Sequence, residues 1–243
     1  MKKSDQHYKL KIIVPVNNDT FCQPILDTVQ AVRPPDVAID IEAITEGTTY
    51  IESRCDLALN APHVMTLAQE TEAKGYHGIF VTDMDMCGVE ASRELINIPI
   101  IGGFRASSYA AMMLGQKFSI ITVEDVRDLQ DEHIRAFGDT VNLASIRPLK
   151  KKVLDLSSPE TVKLVNAEAL KAVTEDGADC IFFGCTGFIG VADKVAQYLK
   201  EKLNKNIPVI DPNRAAISFL VLLIRNQLSQ SRITYPKHHS IFS

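Results

Sequence analysis

CIFFGCTGFIGV, residues 180–191, opens on an apolar run, turns at Gly-Cys-Thr-Gly and closes on Gly-Val. GIFVTDMDMCGV, residues 78–89, has the same outline. With Ile79 laid on Ile181 the offset is 102, and Asp83 falls on Cys185. Short apolar runs of this kind, without polar alternation, are what strands buried on both faces look like, and such strands belong to parallel sheets covered by helices.

The correspondence extends to both sides. KLKIIVPV (9–16) resembles KFSIITVE (117–124) at an offset of 108, and NIPIIGGFRAS (97–107) resembles NIPVIDPNRAA (206–216) at 109. Three matches in one order at nearly constant spacing indicate two homologous halves. The first is expected at 1–105 and the second at 106–214, with a C-terminal helix at about 215–235 packing back on the first. The shared Arg-Ala pairs (105–106 and 214–215) read as equivalent helix starts.

Strands are expected at Leu10–Val16, Val37–Ile44, Gly78–Thr82, Pro99–Ile101, Lys117–Val123, Val141–Ile146, Asp179–Gly184 and Pro208–Ile210. Between them lie helical stretches. Residues 63–75 put Val64, Leu67 and Ala68 on one face, and 159–175 repeat Val162, Leu164, Val165, Ala169 and Val173 after a Ser-Ser-Pro-Glu start. Strand and helix alternating throughout give an α/β fold of two pseudo-symmetric, parallel-sheet (flavodoxin-like) halves, with the active site expected in the cleft between them.

The 243 residues are 46% hydrophobic and 23% charged, with a net charge of −4. That balance offers no electrostatic footprint for nucleic acid or an anionic membrane. The start MKKSDQHYKL has no apolar core of a signal peptide. The run Ile217–Ile224 is far short of the roughly 20 residues a membrane span needs. A cytoplasmic protein is expected, without nucleic-acid or membrane partners. Five cysteines (22, 55, 87, 180, 185) at irregular spacing argue against a disulfide framework. No C-x-x-C, H-E-x-x-H, Gly-x-Gly-x-x-Gly or Walker pattern supports zinc or a nucleotide, so neither metal nor cofactor is expected. Asp83 and Asp85 lack a partner histidine, and Asp85 reads as a helix cap.

Ligands of parallel α/β sheets bind beyond the carboxyl ends of the strands. Asp83 and Cys185 each follow such an end, and each is expected to precede a helix whose first N–H groups (Met84–Gly88 and Thr186–Gly190) can face an anion. A thiol at a helix N-terminus has its pKa lowered and suits a base or nucleophile. Cys180, at a strand start, reads as core, and Cys87 as a competitor out of register with Cys185.

These residues resemble the aspartate/glutamate/hydantoin racemase superfamily, its hydantoin and allantoin branch best. ITEGTTYIESRCDLALNAP (44–62), FSIITV (118–123), ASIRPLKKKVLDL (144–156), the Gly-Cys-Thr-Gly motif and IPVID (207–211) carry the likeness, which runs through nearly the whole chain. The resemblance implies a cofactor-independent site between two halves, a homo-oligomer, and an acid/base pair working on opposite faces of a carbon next to a carbonyl. Cys185 matches the second of the family's two catalytic cysteines. Thr186, Asn17 and Thr122 match groups that hold a carboxylate or carbonyl, with Tyr50 standing where the family loop has serine and Met84 beside the first catalytic position. Val16 and Asn18 differ from the family's surroundings of Asn17. Counting back from Ala91-Ser92-Arg93-Glu94-Leu95 puts Asp83 at the first cysteine's place, as the internal repeat does.

The reaction expected is racemisation or epimerisation alpha to a carbonyl in a small amino acid, hydantoin-like compound or related carboxylate, with Asp83 and Cys185 exchanging protons. Two thiols of pKa ~8.5 suit that symmetric task, whereas an ordinary aspartate at ~3.9 is a weaker base unless burial and a nearby thiolate raise it. The alternatives are a decarboxylase, cis–trans isomerase or hydrolase of a small acid or amide that uses Cys185 as proton donor or nucleophile, and a non-catalytic small-molecule binder.

Overall fold

The computed structural model describes residues 7–156 and 158–238. Among the described residues eight strands and eight α-helices alternate. In the first part they are β1 (Tyr8–Val14), α1 (Cys22–Gln30), β2 (Val37–Ala43), α2 (Arg54–Ala73), β3 (Gly78–Val81), α3 (Val89–Leu95) and β4 (Ile100–Gly102). Then come α4 (Gly103–Leu114), β5 (Phe118–Val123), α5 (Arg127–Phe137), β6 (Leu143–Leu149), α6 (Pro159–Thr174), β7 (Cys180–Phe183), α7 (Ala192–Leu203), β8 (Val209–Ile210) and α8 (Pro212–Arg225).

The strands form two four-stranded sheets of one topology, β2-β1-β3-β4 and β6-β5-β7-β8, and every strand pair is parallel. The pairing registers reproduce the sequence repeat. Leu10 pairs with Gly78 and Phe118 with Cys180, at offsets of 108 and 102; Ile79 pairs with Ile100 and Ile181 with Val209, at 102 and 109. All four residues of β3 and of β7 are buried, which is why both read as unbroken apolar runs. β2 and β6, at sheet edges, are mostly half-buried.

Two compact units result, one of Met1–Gly102 with Ala216–Ser243 and one of Gly103–Ala215. In the first, α8 lies against β3: a Cβ on Gly78 would come within 2.9 Å of Leu220. In the second, α4 packs on β7, β5 and β8, with Phe104 edge-on to Phe182. Among the described residues no helix is long and apolar enough to cross a membrane.

Several elements differ from the sequence expectation. The helix expected over 63–75 runs from Arg54 and passes through Pro62. Its start is fixed by a reciprocal cap: the Ser53 hydroxyl accepts from Asp56 N–H, and the Asp56 carboxylate accepts from Glu52 N–H and the Ser53 hydroxyl. A buried stripe of Asn60, Val64, Leu67, Ala68 and Thr71 then carries it across the proline. β6 starts at Leu143 rather than Val141, which is 76% exposed in a 3-10 turn. In α6 the side chain of Ser158 caps Thr161 N–H and Val165 and Ala169 are buried, but Leu164 faces solvent. The C-terminal helix is Pro212–Arg225, not 215–235, because Gln227 turns left-handed just beyond its end. Arg105-Ala106 and Arg214-Ala215 both lie in first turns, of α4 and α8.

Candidate functional site

Asp83 and Cys185 lie just beyond the carboxyl ends of β3 and β7, the equivalent strands of the two sheets. The backbone bonds that close each strand are equivalent too. Thr82 N–H donates to Ile13 O and Gly184 N–H to Ile121 O; Val89 N–H donates to Met86 O and Val191 N–H to Phe188 O. Gly88 and Gly190 share a φ of 68°, so the likeness runs to the Gly-Val that ends each stretch.

Helix N-termini do not supply these positions as the sequence suggested. α3 begins at Val89 with Gly88, rather than Asp85, as its N-cap, and α7 begins only at Ala192. A helix dipole acts within its first turn, and Cys185 lies seven residues before that start. The local N–H groups do the work instead. Cys87 N–H donates to Asp83 Oδ2 at 2.8 Å, and Gly187 N–H donates to Cys185 Sγ at 3.4 Å. Phe188 N–H and Ile189 N–H are turned inward to Cys185 O and Gly187 O.

In the first unit, Asp83 is half-buried, whereas Met84 beside it is 1% exposed and its side chain belongs to the core. Cys87 is buried against α2, its thiol donating to Leu57 O. Burial, and then the charges of Asp83 and Asp85, push that thiol above the ordinary range, so it stays protonated at neutral pH. Asn17 is exposed and Tyr50 half-buried. Thr48 brings them together: its carbonyl accepts from Asn17 N–H (3.0 Å), and its hydroxyl donates to Tyr50 O (2.7 Å).

In the second unit, Cys185 is half-buried and Thr186 buried. Thr122 is fully buried at the end of β5, and its hydroxyl donates to Gly184 O at 3.2 Å. A Cβ on Gly184 would lie 2.6 Å from Thr122 and 2.8 Å from Gln130 Oε1, so only glycine lets this turn seat so closely. Cys180 is in the core, where burial pushes its thiol up to about 12. Among the described residues no group of three or more His, Cys, Asp or Glu is arranged to hold a metal ion.

Two buried amides outside the sequence motifs hold these loops. Asn60, 0% exposed in α2, accepts from Thr48 N–H (2.7 Å) and donates to Pro15 O (2.9 Å) and Thr48 Oγ1 (3.0 Å). Asn213, 1% exposed in α8, donates to Thr186 O at 2.9 Å. Asn60 had a signal: a polar residue on the stripe that also carries Val64, Leu67 and Ala68 must find partners once buried.

Comparison with known proteins gives the arrangement a lineage. The family described as Asp/Glu/Hydantoin racemase matches residues 10–220. The chain is 27% identical over 219 residues to a hydantoin racemase from Pseudomonas sp. (strain NS671), covering 89% of this chain and 86% of that one. A hydantoin racemase from Paenarthrobacter aurescens is 28% identical over 215 residues, covering 86% and 87%. Among solved structures, allantoin racemase from Klebsiella pneumoniae superposes with a TM-score of 0.86 at 23% identity, covering 96% of each chain. Arylmalonate decarboxylase shares the fold more distantly, with a TM-score of 0.60 at 16% identity, covering 89% and 92%. With that family matched over residues 10–220, most of its length, this chain belongs to the Asp/Glu/hydantoin racemase family.

Proposed function

We propose that the protein is a cofactor-independent racemase or epimerase that acts on a small hydantoin-like ureide, amino acid or related carboxylate. The observation that carries this is the equivalence of Asp83 and Cys185, at the carboxyl ends of matching strands in two units of one topology, in a chain of the racemase family. In this reading one group takes the proton from the carbon alpha to the carbonyl, leaving an enolate. The other returns a proton to the opposite face. Because the pair is a carboxyl and a thiol, the two directions start from different states: carboxylate with thiol for one enantiomer, carboxylic acid with thiolate for the other. Asn17, Tyr50, Thr122, Thr186 and the backbone at Met84 are assigned to binding or to shaping the loops that bind. The halves 1–105 and 106–214 are read as products of one duplication. A cytoplasmic location and, on the family resemblance alone, a homo-oligomer complete the reading, and sedimentation analysis checks the latter.

The test is incubation of each enantiomer of a 5-substituted hydantoin in deuterated water. Loss of optical rotation with deuterium entering at the alpha carbon is expected, and both should vanish in Cys185→Ala. Neither event with a panel of hydantoins and amino acids would overturn the reading. The carboxylate at position 83 favours one second reading, a reaction needing a single thiol, such as decarboxylation with Cys185 as the proton donor. Carbon dioxide release from a malonate-type substrate, seen as a loss of product mass, separates the two.

A further inference from the structure

We propose that Asn213 is a positioning residue for Cys185, acting through the peptide group between Thr186 and Gly187. The inference rests on the reading of Cys185 as the reacting thiol. That peptide group is held at both ends. Its carbonyl, Thr186 O, accepts from Asn213 Nδ2 at 2.9 Å, and its N–H, on Gly187, donates to Cys185 Sγ at 3.4 Å. A trans peptide is planar, so fixing the direction of the carbonyl fixes the direction of the N–H. A hydrogen bond accepted by the carbonyl also polarises the group and strengthens the N–H as a donor. Asn213 therefore aims a reinforced partial positive charge at the sulfur, which favours the thiolate over the thiol.

The amide is itself built in. Asn213 is buried in the first turn of α8, where Asp211 Oδ1 accepts from Asn213 N–H at 2.9 Å and Arg214 N–H at 3.1 Å. Gly187 sits close to its neighbours: a Cβ there would lie 3.0 Å from Val153 and 3.4 Å from the sulfur. The repeat makes the device specific to the thiol. At the offset of 109 the counterpart of Asn213 is Phe104, whose ring packs on Phe182, His133 and Phe137, while Asp83 is served by Cys87 N–H. The charged groups at the same turn are Asp211, whose carboxyl burial pushes up, and Arg214, paired with Asp193 of α7. All three residues are kept in every variant.

The experiment follows iodoacetamide alkylation of Cys185 against pH, resolved by peptide mass spectrometry, in the full chain and in Asn213→Leu and Asn213→Ala. The midpoint should rise by roughly half to one pH unit once the oriented donor is lost. The high-pH plateau should rise about two- to threefold, because a more basic thiolate is the better nucleophile. A merely structural role would instead speed labelling at every pH and admit reagent to the buried Cys180. An unchanged midpoint in a variant that still protects Cys180 would overturn the proposal. Should both variants unfold, the unmodified chain decides: the Gly187 amide proton shift must titrate with the alkylation midpoint of Cys185, and a shift flat across that range overturns the proposal. Racemisation is not the readout, so failure here is distinct from failure of the catalytic reading, which is a Cys185→Ala protein that still racemises.

Discussion

Replacing Asn60 with leucine keeps the branched side-chain skeleton of a fully buried position, with bulkier methyl ends, and deletes its three hydrogen bonds, to Thr48 N–H, Thr48 Oγ1 and Pro15 O. Each such bond contributes about 1 kcal/mol net, and a buried partner left unpaired adds to the loss, so Asn60→Leu should cost about 3–5 kcal/mol. In a chain of this length each kcal/mol lowers Tm by roughly 2–4 °C, so a drop of at least ~6 °C is expected in the transition that melts β1 and its loop. The same change reaches two positions proposed to bind substrate, because Thr48 holds both Asn17 and Tyr50. KM should therefore rise more than kcat falls. Glycine at 47 belongs to the same construction: its φ is 116°, and a Cβ there would meet Asn60 Oδ1 at 2.4 Å. Urea denaturation measures the stability, and hydrogen exchange of peptides covering 45–53 locates the loosening. A loss below about 1 kcal/mol with unchanged exchange in that loop would refute the reasoning, since it would mean the three bonds contribute nothing beyond what water supplies.

Three further outcomes are expected. Cys87→Ala should leave racemisation within about threefold of normal, because only the backbone N–H of residue 87 serves Asp83, whereas Cys185→Ala should lose the ~10²–10⁴ that a positioned acid/base group provides; racemisation rates compare the two. Gly184→Ala forces a Cβ against the backbone-anchored Thr122 and should destabilise by about 1–3 kcal/mol, read from thermal melts, and Thr122→Ser cannot rescue it because the contact is with Cβ and Oγ1. Arg147 bonds Asp176 and Glu168, holding both carboxyls below their ordinary pKa: for Asp176 mainly through the Arg147 hydrogen bonds, for Glu168 because bonds to Lys171 and Arg147 outweigh burial. A depressed carboxyl contributes stability that is present above its unfolded pKa, about 4, and is lost as pH falls through the lower folded value. Arg147→Met should therefore lower stability at neutral pH and flatten its decline below about pH 4 in urea titrations.

The fold was legible because its signals are local and repeated. The paired apolar runs, the shared Asn-Ile-Pro and the two Gly-Val closures all record burial on both faces of parallel strands, and the strand registers reproduce the repeat offsets. Pro62 misled, since a proline normally marks a boundary, and only the packing of Asn60 and Val64 shows why the helix runs on. Cys87 and Cys185 look alike as letters. Burial separates them, the first a thiol held protonated against α2, the second half-buried beside a donated N–H.

The two-sheet α/β architecture, the repeat and the equivalence of positions 83 and 185 can be read from the letters alone, because they depend on spacing and on the side-chain period of strands. Which N–H groups serve them is set by the folded chain. The helices begin later than the motifs suggest, so Cys87 N–H and Gly187 N–H, rather than helix N-termini, meet the carboxylate and the sulfur. The amides that fix the surrounding loops, Asn60 from α2 and Asn213 from α8, come from far along the chain. Their roles exist only where folding buries them against a backbone that needs partners, a condition no run of letters contains.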